Sequence, residues 1–509
     1  MASLAAGYRC RVAIQVWQRP FGAVPLSGGA VEFRVWAPSA SSVSVRVRGG
    51  EHELMLVGEG IYEAEIAAEP GDDYLFVLDG KRLLPDPCSR HQPEGIRGPS
   101  RIVDTSRFEI APGPELRLEE LVLYELHVGT FTPAGTFDAA IPHLHRLREL
   151  GVTAIELMPV AAFPGERGWG YDGVYVSAPH DAYGGPHGLA RFVDAAHRDG
   201  LGVVLDVVYN HIGPGSDALG AFGPYFTDAH HTFWGQAIDY SLRGVREWAI
   251  GNAELWTREY RIDGLRLDAV HAIYDDSPLH VLKELRERVD GLVTSEMGPD
   301  DFRPLEEWGH DAMWLDNLHH ELHVLLTGEH EGYYVSFGSL EGLVRELTRP
   351  APERLIVCAQ NHDQVGNRAV GDRLPPDAHR VALAIVLFSL NTPLLFMGEE
   401  HDETAPFQFF TDHIDPLIAA ATREGRKREF AAFTSFSGEQ VPDPQALETF
   451  ARSHISEHEP DPFYAELIRL RSELPRSLEV SAEGRVLTLR RGSATLVADF
   501  DANTVELSR

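Results

Sequence analysis

The sequence of 509 residues contains few cysteines, few lysines and no long uninterrupted apolar segment. The three cysteines, Cys10, Cys88 and Cys358, are an odd number and lack the spacing of a metal-binding motif. The composition therefore predicts no disulfide framework, which favours a reducing compartment, and we expect a cytoplasmic protein. Cys358 lies in the apolar run 355–359 and is predicted to be a small buried side chain.

The sequence also lacks a membrane-spanning pattern. The most apolar stretch, residues 381–397, is interrupted by Ser389, Asn391 and Pro393, so it cannot cross a bilayer as one apolar helix. Residues 11–16 alternate apolar and polar side chains, and the N-terminus has no apolar core of a signal peptide. We therefore expect no membrane partner.

Positive charge is scarce. The chain has 45 Lys and Arg residues against 77 Asp and Glu residues, a formal net charge of −32 at pH 7. A surface this acidic repels nucleic-acid phosphates and anionic lipids. The charge therefore argues against a nucleic-acid partner. It does not affect the binding of neutral ligands such as sugars, and it does not predict the oligomeric state.

Three segments with different patterns divide the chain. Residues 1–105 contain short alternating stretches, such as 29–38 and 74–80, separated by Gly and Pro, which predicts an N-terminal β-sandwich. Residues 106–476 alternate apolar strands with helical patterns, and residues 477–509 contain two further strand patterns. The last segment is too short for a core of its own, so we expect it to pack on the middle one.

The middle segment predicts a (β/α)₈ TIM barrel. Runs of Val, Ile and Leu without alternation are typical of parallel strands buried on both faces. Helical patterns, such as residues 137–150, lie between most of these strands, and eight such units close a barrel. Residues 211–242 are too many for an ordinary connection, and we expect a loop excursion that shapes a site. The eight predicted strands begin near Leu121, Val152, Leu201, Ile262, Leu292, Ala312, Leu355 and Thr392.

Acidic side chains stand at the ends of four predicted strands: Asp206, Asp268, Glu296 and Asp363. A charged group in a buried strand is costly unless it is paired or hydrogen-bonded. Barrel enzymes carry their reactive groups at the carboxyl ends of the strands. The repetition of the pattern on four strands therefore favours a catalytic site.

Two of these carboxyl groups are expected to differ in their surroundings. Side chains two residues apart share one face of a strand, so Arg266 lies beside Asp268 and lowers its pKa. Glu296 has no basic neighbour in the sequence, and we expect burial to raise its pKa. Glycoside hydrolysis uses such a contrast between a nucleophile and an acid/base catalyst. Asp363 is a third carboxylate, able to bind sugar hydroxyls or to support an oxocarbenium-like transition state.

Taken singly, each residue also has a structural interpretation. Asp206 pairs with Arg266 to hold the barrel together, or Arg266 and Asp268 form a buried ion pair. Glu296 is then a carboxylate at a helix start, and Asp363 is an N-cap. The joint occurrence across strands favours catalysis over these alternatives.

Four short segments resemble, in order and spacing, the signature regions of the alpha-amylase superfamily of retaining glycosidases: residues 206–211, residues 264–271, Glu296 and residues 361–363. The resemblance implies Asp268 as nucleophile, Glu296 as general acid/base and Asp363 as transition-state stabiliser. It also implies contacts to the reacting glucose, with an aromatic platform at Tyr171 and further contacts from Asp206, His211, Arg266, His271, Asn361 and His362.

Longer segments resemble one family within that superfamily, the maltooligosyltrehalose trehalohydrolases: 123–132, 168–175, 226–228, 396–400 and 403–407. The resemblance implies cleavage of the α-1,4-glucosidic bond beside the terminal trehalose of maltooligosyltrehalose, which releases trehalose in trehalose biosynthesis. Family members have Asp-Asp-Phe-His-His where this chain has Asp-Asn-Leu-His-His, and in that segment Asp316, His319 and His320 are expected to contact substrate.

No cofactor and no metal are expected. The histidine-rich residues 318–323 lack the HExxH spacing, and an ordinary helix face is the better interpretation. Asn210 matches a position that helps to hold calcium in many amylases, but the sequence shows no acidic loop partners arranged for such an ion. Two other functions stay open: a glycogen branching or debranching enzyme with the same chemistry, and a non-catalytic α-glucan-binding protein, which the presence of all three carboxylates disfavours.

Overall fold

The computed structural model describes residues 16–215, 218–298, 300–430 and 441–509. Cys10 and most of the alternating stretch at 11–16 lie outside these residues. Within the described ranges, no helix is long and apolar enough to cross a membrane.

Short antiparallel strands build the N-terminal part. They are β1 Gly22–Leu26, β2 Ala30–Trp36, β3 Val43–Val47, β4 Gly50–Glu53, β5 Met55–Gly58, β6 Ile61–Ala67, β7 Asp73–Leu78, β8 Arg82–Leu84 and β9 Ser100–Arg101. One sheet has the order β1-β2-β6-β5, and the other has the order β4-β3-β7-β8 with β9 beside β7. Alternate side chains from both sheets, among them Val31, Phe33 and Val45, are buried in the core. The predicted β-sandwich is confirmed.

The middle part contains the barrel. Its strands are β10 Leu123–Leu126, β11 Ala154–Leu157, β12 Ala161–Ala162, β13 Tyr175–Pro179, β14 Gly202–Val207, β15 Phe226–Thr232, β16 Gly235–Ile238, β17 Gly264–Leu267, β18 Leu292–Ser295, β19 Ala312–Trp314, β20 Leu355–Cys358 and β21 Thr392–Phe396. Eight of them close a parallel barrel in the order β10-β11-β14-β17-β18-β19-β20-β21. The predicted TIM barrel is confirmed, and each of its strands begins within two residues of the predicted position.

Helices surround the barrel and cover its strands. They are α1 Val128–Phe131, α2 Phe137–Ala140, α3 Leu144–Leu150, α4 Gly185–Arg198, α5 Ala218–Phe222, α6 Arg243–Glu254, α7 Val281–Arg288, α8 Arg303–Glu306, α9 Asp316–Thr327, α10 Leu340–Leu347, α11 His362–Gly366, α12 Pro376–Phe388, α13 Pro416–Phe430, α14 Leu447–Arg452 and α15 Pro462–Glu473. The helix predicted at 137–150 is interrupted by the 3₁₀ turn Ile141–His143. Pro142 lies in that turn and lacks the N–H that a continuous helix needs.

The predicted excursion 211–242 contains α5 and the antiparallel hairpin of β15 and β16. Aromatic side chains of this segment pack edge-on against the N-terminal sheets. Phe222 contacts Phe76, and Tyr225 contacts Trp36, with ring centroids 6.0 and 5.3 Å apart. The N-terminal sheets therefore support the segment that extends over the carboxyl end of β14.

The C-terminal strands form one antiparallel sheet attached to the barrel helices. They are β22 Glu479–Glu483, β23 Val486–Arg491, β24 Ala494–Asp499 and β25 Thr504–Ser508. Arg491 is buried and donates to the carbonyl oxygen of Phe388 in α12, and Arg485 donates to that of Leu325 in α9. The boundaries proposed near 105 and 476 stay predictions.

Candidate active site

One arginine contacts three of the predicted acids. Arg266 is fully buried on β17, and its Nη1 donates to Asp206 Oδ2 and Asp268 Oδ1 at 2.8 Å each. Its Nη2 donates to Glu296 Oε2 at 2.9 Å. Trp314 of β19 lies against the guanidinium, 4.1 Å from ring centroid to Cζ. Because β14, β17, β18 and β19 are neighbours in the barrel, the fold brings these distant residues to one point.

The two central carboxylates receive different donors. Asp268 accepts on both oxygens, from Arg266 on Oδ1 and from Asn210 Nδ2 on Oδ2 at 2.7 Å. Glu296 accepts on Oε2 alone, from Arg266 and from the backbone N–H of Ala269. Glu296 has no basic neighbour in the sequence, but the adjacent strand β17 supplies Arg266. The contrast between the two acids is therefore in the number of oxygens that accept hydrogen bonds.

Asp206 lies beneath these groups at the end of β14. Burial raises the pKa of its carboxyl to about 7, although Arg266 opposes the shift. The hydroxyl of Tyr171 donates to Asp206 Oδ2 at 2.6 Å. The ion pair with Arg266 that the structural interpretation predicts is thus present, and it lies within the same cluster as Asp268.

Asp363 stands in the first turn of α11, directly after β20. The N-cap of this helix is Asn361, whose side chain accepts a hydrogen bond from the N–H of Gln364, so Asp363 is not the cap. Asn367 Nδ2 donates to Asp363 Oδ1 at 2.9 Å. Burial raises the pKa of Asp363, and the negative charge of Glu296 raises it further. Asp363 Oδ2 lies 3.4 Å from His362 Nε2, and His362 is joined to Asp206 of the Arg266 cluster through Tyr171.

His362 is buried and surrounded by polar groups. Its Nδ1 lies 2.6 Å from Glu125 Oε1, and its Nε2 lies 2.8 Å from Tyr171 Oη and 3.4 Å from Asp363 Oδ2. The rings of Tyr171 and His362 stack with centroids 5.0 Å apart. Burial disfavours the charged ring, but the carboxylates of Asp363 and Glu125 outweigh burial and raise the pKa of His362 to about 10.

Glu125 is missing from the predicted site residues. It is buried in β10, Leu123–Leu126, whose other residues are two leucines and Tyr124. A carboxylate in a buried barrel strand is the same signal that identified Asp206 and Asp268. A search for acidic residues within the predicted barrel strands would therefore have found Glu125.

His211 and Asp316 lie next to the cluster. His211 hydrogen-bonds with Asn210 Oδ1 and with the carbonyl oxygen of Tyr171, and burial lowers its pKa to about 4. Burial raises the pKa of Asp316 to about 7, and the charges of Glu296 and Asp363 add to the shift. His211 is thus joined to the cluster through Asn210, and Asp316 stands in the first turn of α9, directly after β19. The substrate contacts expected of both residues stay predictions.

Three predicted contact residues occupy other positions. His319 is buried and its Nδ1 lies 2.6 Å from the carbonyl oxygen of Ala359, which engages the ring inside the protein. His320 packs against Phe337, with ring centroids 4.8 Å apart. His271 is exposed, and its ring has no hydrogen bond to the acids in the described part of the chain. Among the described residues, none of these three histidines has a hydrogen bond or ion pair to the acid cluster.

An exposed tryptophan lies beside the cluster and was not predicted individually. Trp234, in the turn between β15 and β16, stacks on His211 with ring centroids 4.5 Å apart and planes at 5°. It is 47% exposed. An exposed aromatic face next to buried acids offers an apolar surface for a ring-shaped ligand.

The described residues contain no group of three or more His, Cys, Asp or Glu side chains that could hold a metal ion. Asn210, at the position that suggested calcium, donates its amide N–H to the carbonyl oxygen and to Oδ2 of Asp268. Its side chain is therefore engaged in orienting Asp268.

Comparisons with known proteins cover nearly the whole chain. The family model of the alpha amylase catalytic domain matches residues 98–222. A malto-oligosyltrehalose trehalohydrolase from Deinococcus radiodurans is 44% identical, covering 92% of this chain and 87% of that protein. One from Saccharolobus solfataricus is 38% identical, covering 95% and 93%. The crystal structure of a Salmonella typhimurium protein described as an alpha amylase has a TM-score of 0.85 at 39% identity, covering 94% and 92%.

The closed barrel and the matched catalytic domain define a glycoside hydrolase of the alpha-amylase superfamily. The full-length relatives narrow this class. The chain belongs to the malto-oligosyltrehalose trehalohydrolase family.

Proposed function

We propose that the protein hydrolyses the α-1,4-glucosidic bond beside the terminal trehalose of maltooligosyltrehalose, releases trehalose, and retains the anomeric configuration. The observation that carries the mechanism is the single guanidinium of Arg266 that contacts both Asp268 and Glu296. The names of the relatives support the substrate. The few cysteines, with Cys358 buried, support a cytoplasmic location.

In the first step, an oxygen of Asp268 attacks the anomeric carbon while Glu296 gives its proton to the glycosidic oxygen. The carbon–oxygen bond breaks, trehalose leaves as the alcohol, and a glucosyl ester of Asp268 forms. The donors on both oxygens hold the Asp268 carboxylate in a fixed orientation. Oε2 of Glu296 is occupied by two donors, so Oε1 is the oxygen that carries the proton.

In the second step, Glu296 acts as the base. Its carboxylate takes a proton from water, the water oxygen attacks the anomeric carbon, and the ester bond to Asp268 breaks. Glu296 ends the cycle protonated, as it began. Asp363 faces the developing positive charge of the sugar ring in both steps and stabilises it electrostatically.

Product analysis on maltotriosyltrehalose tests this function. We expect equimolar trehalose and maltotriose, and no products from an Asp268→Asn variant prepared in parallel. New α-1,6 linkages in a linear glucan would instead identify a branching enzyme, and cleavage of existing α-1,6 linkages a debranching enzyme. Binding without turnover on all these glucans would identify a non-catalytic protein.

A further inference from the structure

Glu125 lies beneath the acid cluster and hydrogen-bonds to both the ring and the backbone of His362. Its Oε1 is 2.6 Å from His362 Nδ1, and its Oε2 accepts from the backbone N–H of His362 at 2.9 Å. Both side chains are 1% exposed. The carboxylate thus fixes the ring and the start of α11 together, one residue before Asp363.

The hydrogen bonds around His362 determine how many protons its ring carries. Tyr171 has one hydroxyl proton. The hydroxyl oxygen lies 2.6 Å from Asp206 Oδ2, which also accepts a hydrogen bond from Arg266. Because Asp206 Oδ2 is an acceptor, the hydroxyl proton of Tyr171 points to Asp206. Tyr171 Oη is then an acceptor toward His362 Nε2, 2.8 Å away. Since Nδ1 faces the carboxylate of Glu125, both ring nitrogens are donors and the ring is an imidazolium.

We propose that Glu125 is a positioning residue for catalysis: it keeps the ring of His362 doubly protonated and aims Nε2–H at Tyr171 and Asp363. This inference rests on the proposed function of the site. A positive ring next to Asp363 favours the ionised form of that carboxyl. When the ring loses its proton as the pH rises, Nε2 no longer donates toward Tyr171 and Asp363, and the positive charge beside the Asp363 carboxylate disappears. These groups are then held less firmly against the oxocarbenium-like transition state, so kcat falls as the pH rises.

The wider surroundings of His362 agree with a charged ring. Burial and Arg266 lower its pKa, and the carboxylates of Asp363 and Glu125 outweigh them. The other titratable groups that face it from neighbouring elements are Tyr171, Asp206, Asp316, Glu156 and His127. Of the two carboxylates, Asp363 belongs to the proposed reacting centre and Glu125 does not. Glu125 contacts the ring and the backbone of His362 directly, so replacing Glu125 weakens the charged ring without altering a reacting group.

Glu156 offers a matched control. It stands opposite Glu125 in the register of β10 and β11 and is equally buried. Neither of its oxygens has a hydrogen-bond partner in the described part of the chain. Burial and the charge of Glu125 raise its pKa well above the ordinary value, which favours its protonated form. Glu156→Gln therefore keeps the shape of the side chain and introduces no charge.

The test measures kcat and KM for trehalose release from maltotriosyltrehalose between about pH 5 and pH 9. For Glu125→Gln we expect the kcat ratio of variant to wild type to fall by about tenfold or more between about pH 6 and pH 8, with KM within about threefold. Glu156→Gln should keep a constant ratio. Glu125→Asp retains the charge, so its ratio should also stay constant across pH even if kcat is lower.

Nitrogen-15 NMR of the histidine side chains gives a readout independent of turnover. In an Asp268→Asn background, with His362 assigned by comparison with His362→Gln, both ring nitrogens should be protonated at about pH 8. Adding Glu125→Gln should remove one of these two protons at the same pH.

A neutral wild-type His362 at that pH overturns the proposal, and so does a kcat ratio of Glu125→Gln to wild type that does not change with pH. Absence of trehalose from the wild type refutes the proposed function instead, and the NMR result then decides the role of Glu125. If Glu125→Gln does not fold, Glu125→Asp and the wild-type spectrum decide it.

Discussion

At the scale of single residues, the proposed chemistry depends on which carboxylate oxygens accept hydrogen bonds. Arg266 donates to Asp206, Asp268 and Glu296 from two nitrogens. Asn210 completes the pair of donors on Asp268, whereas Oε1 of Glu296 has no partner among the described residues. A shared cation lets three acids approach each other, and the uneven distribution of donors distinguishes the proposed nucleophile from the proposed acid/base catalyst.

Replacing Asp268 by Asn tests the nucleophile. Asn keeps the shape of the side chain and removes the attacking oxygen, so kcat should fall by about 1,000-fold or more while KM changes little. Steady-state kinetics on maltotriosyltrehalose measure both constants. The thermal unfolding midpoint of the variant is the control for folding, and near-normal turnover by a folded variant would refute the assignment.

Replacing Arg266 by Lys tests the shared guanidinium. A lysine ammonium is a point charge that cannot donate to Asp268 and Glu296 in the geometry of a planar fork. We expect kcat to fall by about 100-fold or more. Arg303→Lys is the matched control, because Arg303 pairs with Asp301 at the surface and its replacement should leave kcat unchanged. A value of kcat within about threefold of wild type for Arg266→Lys would contradict the account.

The sequence identifies the acids of the site better than their contacts. A carboxylate at the end of an apolar run is a local signal, and it marks Asp206, Asp268 and Asp363. The hydrogen bond from Arg266 to Glu296 crosses two neighbouring strands and depends on the register of the barrel, so it is not visible in the sequence around either residue.

At the scale of elements, strand positions were predictable because buried parallel strands are continuous apolar runs. The helical pattern at 137–150 did not show that the helix is divided, but Pro142 in the same segment is a signal that could have indicated the division. The support of residues 211–242 by the N-terminal sheets depends on contacts such as Phe222 with Phe76, which are far apart in the chain. Long-range packing of this kind has no local sequence signal.

Gly151 tests how α3 ends against α15. Its φ is 107°, and a Cβ there would lie 2.5 Å from Cγ2 of Ile468. Gly151→Ala should therefore lower the free energy of unfolding by about 1–3 kcal/mol without changing kcat. Chemical denaturation measures the change. Gly251→Ala in α6 is the control, since a Cβ there meets no atom within 4 Å and should stabilise the helix slightly. Equal stability of the two variants would contradict this description of the turn.

At the scale of the whole molecule, the dominant feature is the net charge of −32. Repulsion among surface carboxylates opposes the folded state, while exposed ion pairs such as Arg191 with Asp138 favour it weakly. Salt screens both interactions. The excess of acidic groups makes repulsion the larger contribution.

Salt should therefore stabilise the protein. Raising NaCl from about 0.01 M to about 0.15 M shortens the screening length from about 30 Å to about 8 Å, which weakens the long-range repulsion most. We expect the calorimetric unfolding midpoint at constant pH to rise. A falling midpoint would mean that the surface ion pairs contribute more than the net charge.

The pH dependence of stability has a defined sign. The pKa of His362 is raised to about 10 and that of Asp206 to about 7. A raised pKa contributes stability that is complete below the unfolded value and is lost as pH rises through the folded value. The unfolding midpoint should fall between about pH 6 and pH 9, and His362→Gln should flatten this decline. A midpoint that rises over this range would contradict the charges assigned to the site.

The most direct test of the whole account is to identify the residue that carries the covalent sugar. A Glu296→Gln variant can react with maltotriosyl fluoride, whose leaving group needs no acid, but it lacks the base for hydrolysis of the ester. Mass spectrometry of the digested protein should find the maltotriosyl group on the peptide that contains Asp268. Attachment to another carboxylate, or a wild-type product that first appears as the β-anomer, would contradict the account.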